Sequence, residues 1–441
     1  MPMVDKKLSG KSVLVLGAYG LIGFHITQKL EQAGFNVIGL GRNRSTANRV
    51  CPSLDWRIHD LRDLNKAAHW QPVLEGVDLV VNAAGALQES AGDNLDIVHR
   101  GMLESLLPVL AQRGIGLVQI SAVGAELNAD TAFMRTKAEG DQLVREAEID
   151  HWIFKPGLVL APTAYGGSAL LRLNAAVPIV QPLALPETKI QTIHVDEIAG
   201  AVLMVAQGKV DAGIECDLVE ETGRNLEEII DEIRNWLGFT PARFRFVLPS
   251  WALSSISFVA DSLGHLGWRS PLRSSAVKVL ETGISGDASQ WRKWHDVPLS
   301  SLSKTLEVMP ARAEDRLSAR MALLMPLVIV VLAVFWFLSG IIGVISLDEA
   351  ARVLTDVGWS LALAKSSVVF WAIVDVALAA GILYRPTAKL TCLCMIGVSL
   401  FYLAASTVAV PALWLDPLGP LVKVLPSILL ALVARVMLET R

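Results

Sequence analysis

The sequence predicts an α/β protein, a doubly wound parallel sheet, followed by a four-helix transmembrane domain. Three observations carry that expectation. Short apolar runs alternate with helical patterns through the first half of the chain, and a glycine-rich turn stands between the first run and the first helix. After residue 320 the composition changes to long stretches almost free of charge. The chain has 441 residues, 52 % of them apolar, and a mean hydropathy of +0.46, so two or more domains are expected.

SVLVL (12–16) is a β-branched apolar run, and LIGFHITQKLEQAG after it has helical periodicity. FNVIGLG (35–41), VDLVVNAAG (77–85) and GLVQISA (116–122) read as further strands, with a helix ending near Gly114. HWIFKPGLVL (151–160) and KIQTIHV (189–195) continue the pattern, and EIAGAVLMVAQG (197–208) is helical. Strands that are apolar throughout imply a parallel sheet covered on both faces. Past residue 209 the alternation loosens. NLEEIIDEIRNWLG (225–238) is an amphipathic helix with its acids early, whereas PSWALSSISFVADSLGHLGW (249–268) is mostly apolar. That second stretch suits either packing on the sheet or lying on a membrane surface. Residues 269–310, with Trp291 and Trp294, read as helical pieces and linker. The expected layout is a nucleotide-binding domain over 1–245, a helical linker region over 246–320 and a membrane domain over 321–441.

MALLMPLVIVVLAVFWFLSGIIGVIS (321–346) carries no charge, and a bilayer takes roughly 20 residues to span. Stretches at about 366–384, 390–411 and 421–438 bring the expected count to four. Arg312, Arg316 and Arg320 precede the first span, Arg385 and Lys389 join the second and third, and Arg435 and Arg441 close the chain. Basic residues stay on the cytoplasmic side, so an integral cytoplasmic-membrane protein with both termini inside is expected. Asp375, in the middle of the second span, should face neighbouring helices and find a partner, with Ser339, Cys394 and Tyr402 as candidates. Helix-to-helix bonding and a proton- or quinone-handling role both stay open for it.

Composition also excludes some partners. A net charge of −4 without a basic stripe argues against nucleic acid. The four cysteines have neither metal-ligand nor redox spacing, so no metal is expected and a reducing compartment is. MPMVDKKLSGKS at the start has no apolar signal-peptide core.

VLVLGAYGLIGFHI (13–26) carries the chemistry. Gly17-x-x-Gly20-x-x-Gly23, with Tyr19, Leu21 and Ile22 among its members, lies between strand and helix, as in a Rossmann-type nucleotide site. Glycines there allow a tight turn and close backbone approach to a pyrophosphate at the helix N-terminus. The next strand ends GLGRNR (39–44), where an acid would bind a ribose 2′-hydroxyl. Arg42 and Arg44 stand there instead, so NADP(H) is favoured over NAD(H).

The glycine motif, HDLRD (59–63), NAAG (82–85), Ser121 at a strand end and a helix bearing Lys137 resemble the short-chain dehydrogenase/reductase superfamily. KPGLVLAP (155–162) and IHVDEIAGA (193–201) are similar to its extended and atypical members, NmrA-like proteins and the accessory subunit of respiratory complex I among them. The tail, with FWFLSG (335–340), resembles a DoxX-like membrane domain. The resemblance covers nearly the whole chain and is least diagnostic over 210–310. It implies that Asp60 and Leu61 contact adenine, that Asn82, Ala83 and Ala84 line the cofactor's other side, and that Pro156 and Gly157 flank the nicotinamide. It further implies that Lys137 binds the nicotinamide ribose and that Ser121 sits near a substrate carbonyl.

One position departs from the family. The residue four before the lysine is a proton-transferring tyrosine in active members, and here it is Phe133. A phenyl ring is no general acid. Tyr165, in the loop PTAYGG, is the tyrosine that could swing over a substrate site, and His194 is a second candidate, although in IHVDE it reads rather as packing against the sheet. Two functions follow: a membrane-anchored reductase for an apolar substrate or quinone, with weak turnover, or a non-catalytic NADP(H)-binding module of a membrane redox assembly. A sugar-nucleotide epimerase needs the tyrosine and gains nothing from the spans.

Overall fold

The computed structural model describes residues 10–85, 94–268, 270, 272–417 and 419–439. The chain forms two compact units, Met1–Asp261 with Ser270–Arg316, and Ser262–Arg269 with Leu317–Arg441.

In the first unit strand and helix alternate. β1 (Ser12–Leu16), α1 (Leu21–Gln32), β2 (Asn36–Gly41), α2 (Arg44–Val50), β3 (Asp55–Ile58), α3 (Ala67–Val73) and β4 (Leu79–Asn82) come first. A π-helical turn, Ile97–Gly101, leads into α4 (Met102–Arg113), β5 (Gly116–Ile120), α5 (Ala132–Glu146), β6 (His151–Pro156), β7 (Leu158–Leu160) and α6 (Gly166–Ala175). Then come β8 (Val180–Leu183), β9 (Lys189–Ile190), β10 (Thr192–His194), α7 (Val195–Ala206) and β11 (Ile214–Leu218). Seven strands make one parallel sheet in the order β11-β6-β5-β4-β1-β2-β3.

β1 shows why both faces are covered. Val13 and Val15 enter an apolar layer with Ile26 and Leu30 of α1 and Ile198 and Val202 of α7. Leu14 and Leu16 enter the other, with Trp70, Leu103, Leu106 and Val144. Side chains alternate across a strand, so one that is apolar at every position is buried twice. The strand order reverses between β1 and β4, and in such sheets ligands bind at the carboxyl ends beside that reversal.

Some elements differ from expectation. β3 and β11 are the two edges of the sheet and carry Asp55, Arg57, Glu215 and Asp217 among their few residues. An edge strand needs no continuous apolar run, which hid both. HWIFKPGLVL divides at Gly157 into β6 and β7, and KIQTIHV divides at Gln191 into β9 and β10.

The rest of the unit holds β12 (Arg224–Asn225), α8 (Leu226–Trp236), β13 (Phe244–Val247), α9 (Ser250–His265), α10 (Ser274–Thr282), α11 (Ser289–Arg292) and α12 (Leu302–Val308). Asn225 begins α8, and its backbone N–H donates to Glu228 at 3.1 Å, which reads as a capping box. The stretch after 269 is more than linker. Trp291 is buried, its ring 4.5 Å from that of Trp294, which stacks on Phe154 of β6. Glu220, also buried, accepts from the backbone of Thr192 at 2.8 Å and of Leu302 at 2.9 Å, tying α12 to β10.

The second unit takes its helices from α13 (Ala313–Ile345), α14 (Leu347–Thr355), α15 (Leu361–Leu383), α16 (Arg385–Ala409) and α17 (Val424–Glu439). Three of them, α13, α15 and α16, are long and apolar enough to cross a membrane, whereas α17 has 16 residues. The interior is apolar, with Trp336, Ile382, Cys392 and Leu438, and so is the exterior, with Leu327, Phe370, Ile373 and Leu429 exposed. Helices apolar all round suit lipid rather than water. No loop separates the second and third spans: Tyr384 alone divides α15 from α16, which puts Arg385 and Lys389 in the first turns of α16. Asp375 is 4 % exposed and accepts from Ser339 Oγ at 2.7 Å and Tyr402 Oη at 3.2 Å. Two of its three expected partners therefore hold it, and they belong to α13 and α16.

Candidate active site

The glycine turn closes the carboxyl end of β1. Gly17 has φ +74°, and a Cβ there would lie 3.0 Å from Ala84 Cα and 3.1 Å from Ala83 O, so this turn and the end of β4 touch. A Cβ on Gly23 would fall 2.2 Å from Gly17 O, so only glycine lets α1 seat on the turn. Gly20 is the N-cap of α1 and supplies no side-chain cap, and the first turn, with Leu21, Ile22 and Gly23, carries no acid. The N–H groups of that turn are thus left for an anion, which the helix dipole favours. These residues fit a dinucleotide pyrophosphate.

Tyr19 does something else. Its ring covers Gly41, where a Cβ would meet Tyr19 Cε1 at 2.3 Å, and its hydroxyl accepts from the Arg42 backbone N–H at 3.0 Å. It braces the loop that carries Arg42. Across from that loop Asp60 is gripped by Arg62, at 2.7 and 3.0 Å. The Arg62 hydrogen bonds hold the Asp60 carboxyl below its ordinary range against the opposing effect of burial, and the charge of Arg42 adds to them. Arg62 neutralises Asp60, so cationic character remains beside Arg42. Sequence reading took Asp60 and Leu61 and passed over Arg62, two residues further on.

A buried polar chain runs beneath the other end. Asn82 Nδ2 donates to Gln119 Oε1 at 2.7 Å, and Asn82 Oδ1 accepts from Ala84 N–H at 3.2 Å. Gln119 Nε2 donates to Asp141 Oδ1 at 3.5 Å, and Ser121 Oγ donates to Asp141 Oδ2. Asp141 is wholly buried, which pushes its carboxyl up. The hydroxyl of Ser121 is therefore directed at α5.

Thr131 caps α5, its Oγ1 accepting from Met134 N–H at 3.3 Å. Phe133, Lys137 and Asp141 recur every four residues along that helix, on one face. Lys137 Nζ donates to Ile120 O at 2.8 Å. Burial holds the Lys137 ammonium down to about 8, with Asp141 opposing. A Cβ on Gly85 would lie 3.6 Å from both Lys137 Nζ and His99 Nε2, so both nitrogens face the end of NAAG.

His99 was not visible as a site residue from sequence. It sits on the π-helical turn, packs edge-on against Phe133 at 5.5 Å, and its Nδ1 lies 2.9 Å from Thr136 Oγ1. Thr136 gives its own proton to Ala132 O, so Nδ1 of His99 is the donor and Nε2 the lone-pair nitrogen. Burial, with the charge of Lys137, pushes the ring down to about 2 and keeps it neutral. π-helical turns concentrate at functional sites, a hint that the structure gives and the sequence does not.

Other predicted residues lie apart. Tyr165 starts α6, half exposed, its backbone paired with Ser168, and it shares no described hydrogen bond or ring contact with Lys137 or Phe133. His194 starts α7 beside Glu197, and burial holds its ring below the ordinary value. Pro156 ends β6 and accepts from Val123 N–H at 3.1 Å. Gly157 passes so close to Gln191 that a Cβ would lie 2.5 Å from its carbonyl. A cavity of about 940 Å³ lined by Glu221, Arg224, Glu232 and Lys304 contains none of these residues.

Residues 13–213 match the NAD dependent epimerase/dehydratase family, and residues 333–432 match the DoxX-like family. A ceramide reductase of Caulobacter vibrioides is 21 % identical over 58 % of this chain and 78 % of its own length. The 40 kDa subunit of NADH-ubiquinone oxidoreductase from Neurospora crassa mitochondria is 24 % identical over 44 % of this chain, which spans 52 % of that subunit. Among solved structures, an NADPH-dependent quinone oxidoreductase from Escherichia coli in complex with NADPH superposes with a TM-score of 0.51 at 17 % identity, covering 67 % of this chain and 99 % of that one. The Bordetella bronchiseptica enzyme WbmH in complex with NAD+ gives 0.51 at 15 %, covering 68 % and 96 %. Identities that low show a shared fold. The chain thus joins a Rossmann-type domain that matches the NAD dependent epimerase/dehydratase family, and is similar to subunits of mitochondrial NADH-ubiquinone oxidoreductase, to apolar helices that match the DoxX-like family.

Proposed function

We propose that this chain is a membrane-anchored protein that binds NADP(H) in preference to NAD(H) and reduces an apolar substrate slowly. The observation that carries the reading is the assembly beside the β1–β4 reversal. There an uncapped α1 N-terminus, a turn that admits only glycine and the buried Lys137 beside Gly85 converge. Gly17, Gly20 and Gly23 would hold the pyrophosphate with Leu21 and Ile22. Arg42, braced by Tyr19 and seconded by Arg62, would take the 2′-phosphate, and Asp60 with Leu61 would border the adenine. Asn82, Ala83 and Ala84 would line the opposite wall, Lys137 would bind the nicotinamide ribose, and Pro156 and Gly157 would flank the ring. The dinucleotide, when bound, supplies the hydride. Among the predicted catalytic groups, Lys137 would bind and orient the cofactor, Ser121 is engaged by Asp141, and Tyr165 would have to swing in.

An apolar substrate fits the membrane domain and the reductase names of two similar proteins. Phe133, and the likeness to complex I subunits, favour a second reading, an NADP(H)-binding accessory module of a membrane redox assembly. The four-span arrangement with both termini cytoplasmic belongs to the same proposal, with α17 as the last span. A reporter fused after Arg441 checks it, since three spans put that end outside.

Titration of the purified chain with NADPH and NADH tests the cofactor. Tighter NADPH is expected, and equal affinity removes the Arg42–Arg62 argument. Turnover with a quinone or a long-chain ketone tests the reaction. Slow reduction by wild type is expected, and brisk reduction abolished by Tyr165→Phe sinks the accessory reading.

A further inference from the structure

α9 is amphipathic the wrong way round for water. Its packed face carries Leu253, Ser257 and Ala260, and the Ser257 hydroxyl is buried with no hydrogen-bond partner. Its outer face carries Trp251, 74 % exposed, and Phe258, 73 % exposed, seven residues apart and so on one stripe, opposite the buried residues. Just before it, β13 adds Phe244 and Phe246, both exposed. Strand alternation puts them opposite Arg245, which is tied to Glu227 and Asp231 of α8, so these two rings turn away from the packed side. The Arg243 guanidinium stands 5.5 Å from the Phe244 ring, a basic rim on an aromatic patch.

What covers this face follows from where α9 ends. Beyond Ser262 the chain belongs to the unit that holds the long apolar helices. Leu266 O accepts from Arg385 N–H at 2.9 Å, Trp268 Nε1 donates to Leu383 O at 2.6 Å, and the Arg385 guanidinium lies 5.6 Å from the Trp268 ring. Leu383 and Arg385 are where α15 ends and α16 begins, the point at which two helices of spanning length meet water. A helix fastened there with exposed tryptophan and phenylalanine on its outer face, and with Arg243 shortly before it in the chain, has the composition of a membrane-interface element.

We propose that the outer face of α9 and the adjoining edge of β13 lie in the lipid headgroup region of a bilayer, as an interfacial plate distinct from the spans. The inference rests on the apolar helices being in a bilayer and is independent of the reductase reading. Such a plate inserts about 5–10 Å, to the boundary of headgroups and acyl chains.

The test uses the full chain in nanodiscs of phosphatidylcholine and phosphatidylglycerol, in a Cys394→Ser background that removes the exposed thiol. Trp251→Cys, Phe258→Cys and, as an exposed control on α1, Glu31→Cys each receive an environment-sensitive fluorophore. Lipids carrying a spin label near the glycerol are then added. The expected result is a blue-shifted emission at 251 and 258 that the spin-labelled lipid quenches, with no quenching at 31. Emission at 251 and 258 that matches residue 31 and ignores the lipid overturns the proposal. So does energy transfer between labels on two copies without lipid quenching, which makes the face a contact between chains.

Discussion

Phe133 and Lys137 separate two properties that a tyrosine and a lysine supply together. The lysine is buried and faces the end of NAAG, where it would orient the cofactor, while the phenyl ring beside His99 moves no proton. Phe133→Tyr is expected to raise turnover by about 10²-fold, the low end of general acid–base catalysis, with NADPH affinity unchanged. Single-turnover reduction kinetics check it. The depressed ammonium of Lys137 gives a pH signature. The unfolded chain holds that proton up to 10.5 and the folded chain only to about 8, so between those values the unfolded state binds more protons. The contribution of this group to folding therefore grows as pH rises through the window, and is lost as pH falls toward 8. Binding runs the other way. NADPH affinity of wild type should fall as pH passes about 8, whereas Lys137→Met should be weaker and flat there by titration.

At the scale of elements, Asp375 pins three helices. A carboxyl in a span, held by Ser339 and Tyr402, fixes the register of α15 against α13 and α16. Interhelical hydrogen bonds in membranes average about 0.6 kcal/mol each, so Asp375→Asn, which keeps an acceptor, should cost less than that per bond. Asp375→Leu loses both and leaves two hydroxyls unmatched. Thermal unfolding in detergent should rank Leu below Asn, and equal midpoints would remove the pinning role. Close packing supports the same contact: a Cβ on Gly340 of α13 would fall 2.6 Å from Ala372 O of α15.

Over the whole first unit, the chain returns to its own sheet after α9. Trp291 joins the apolar layer that α1 and α7 make on the sheet, and its indole N–H donates to Val297 O at 2.8 Å. Trp291→Ala removes a large buried side chain and should destabilise this unit by about 3 kcal/mol or more, read from urea unfolding. A pure linker tryptophan would change nothing measurable.

The parallel sheet was legible in the sequence because its central strands are buried on both faces, and double burial leaves a mostly apolar signature in β1, β2, β4 and β5. The glycine turn was legible because φ +74° and a 2.2 Å approach admit no other residue at Gly17 and Gly23. The apolar helices were legible from length and lack of charge, since lipid accepts little else. Edge strands β3 and β11 left no such mark, because one open side tolerates charge. His99, Gln119, Asp141 and Arg62 were settled only by tertiary structure. Each is an ordinary residue in its own segment, and it becomes part of the site when the sheet brings distant strand ends together. The aromatic face of β13 and α9 belongs to the same class: sequence shows an apolar stretch, and only packing decides which side of it stays outside.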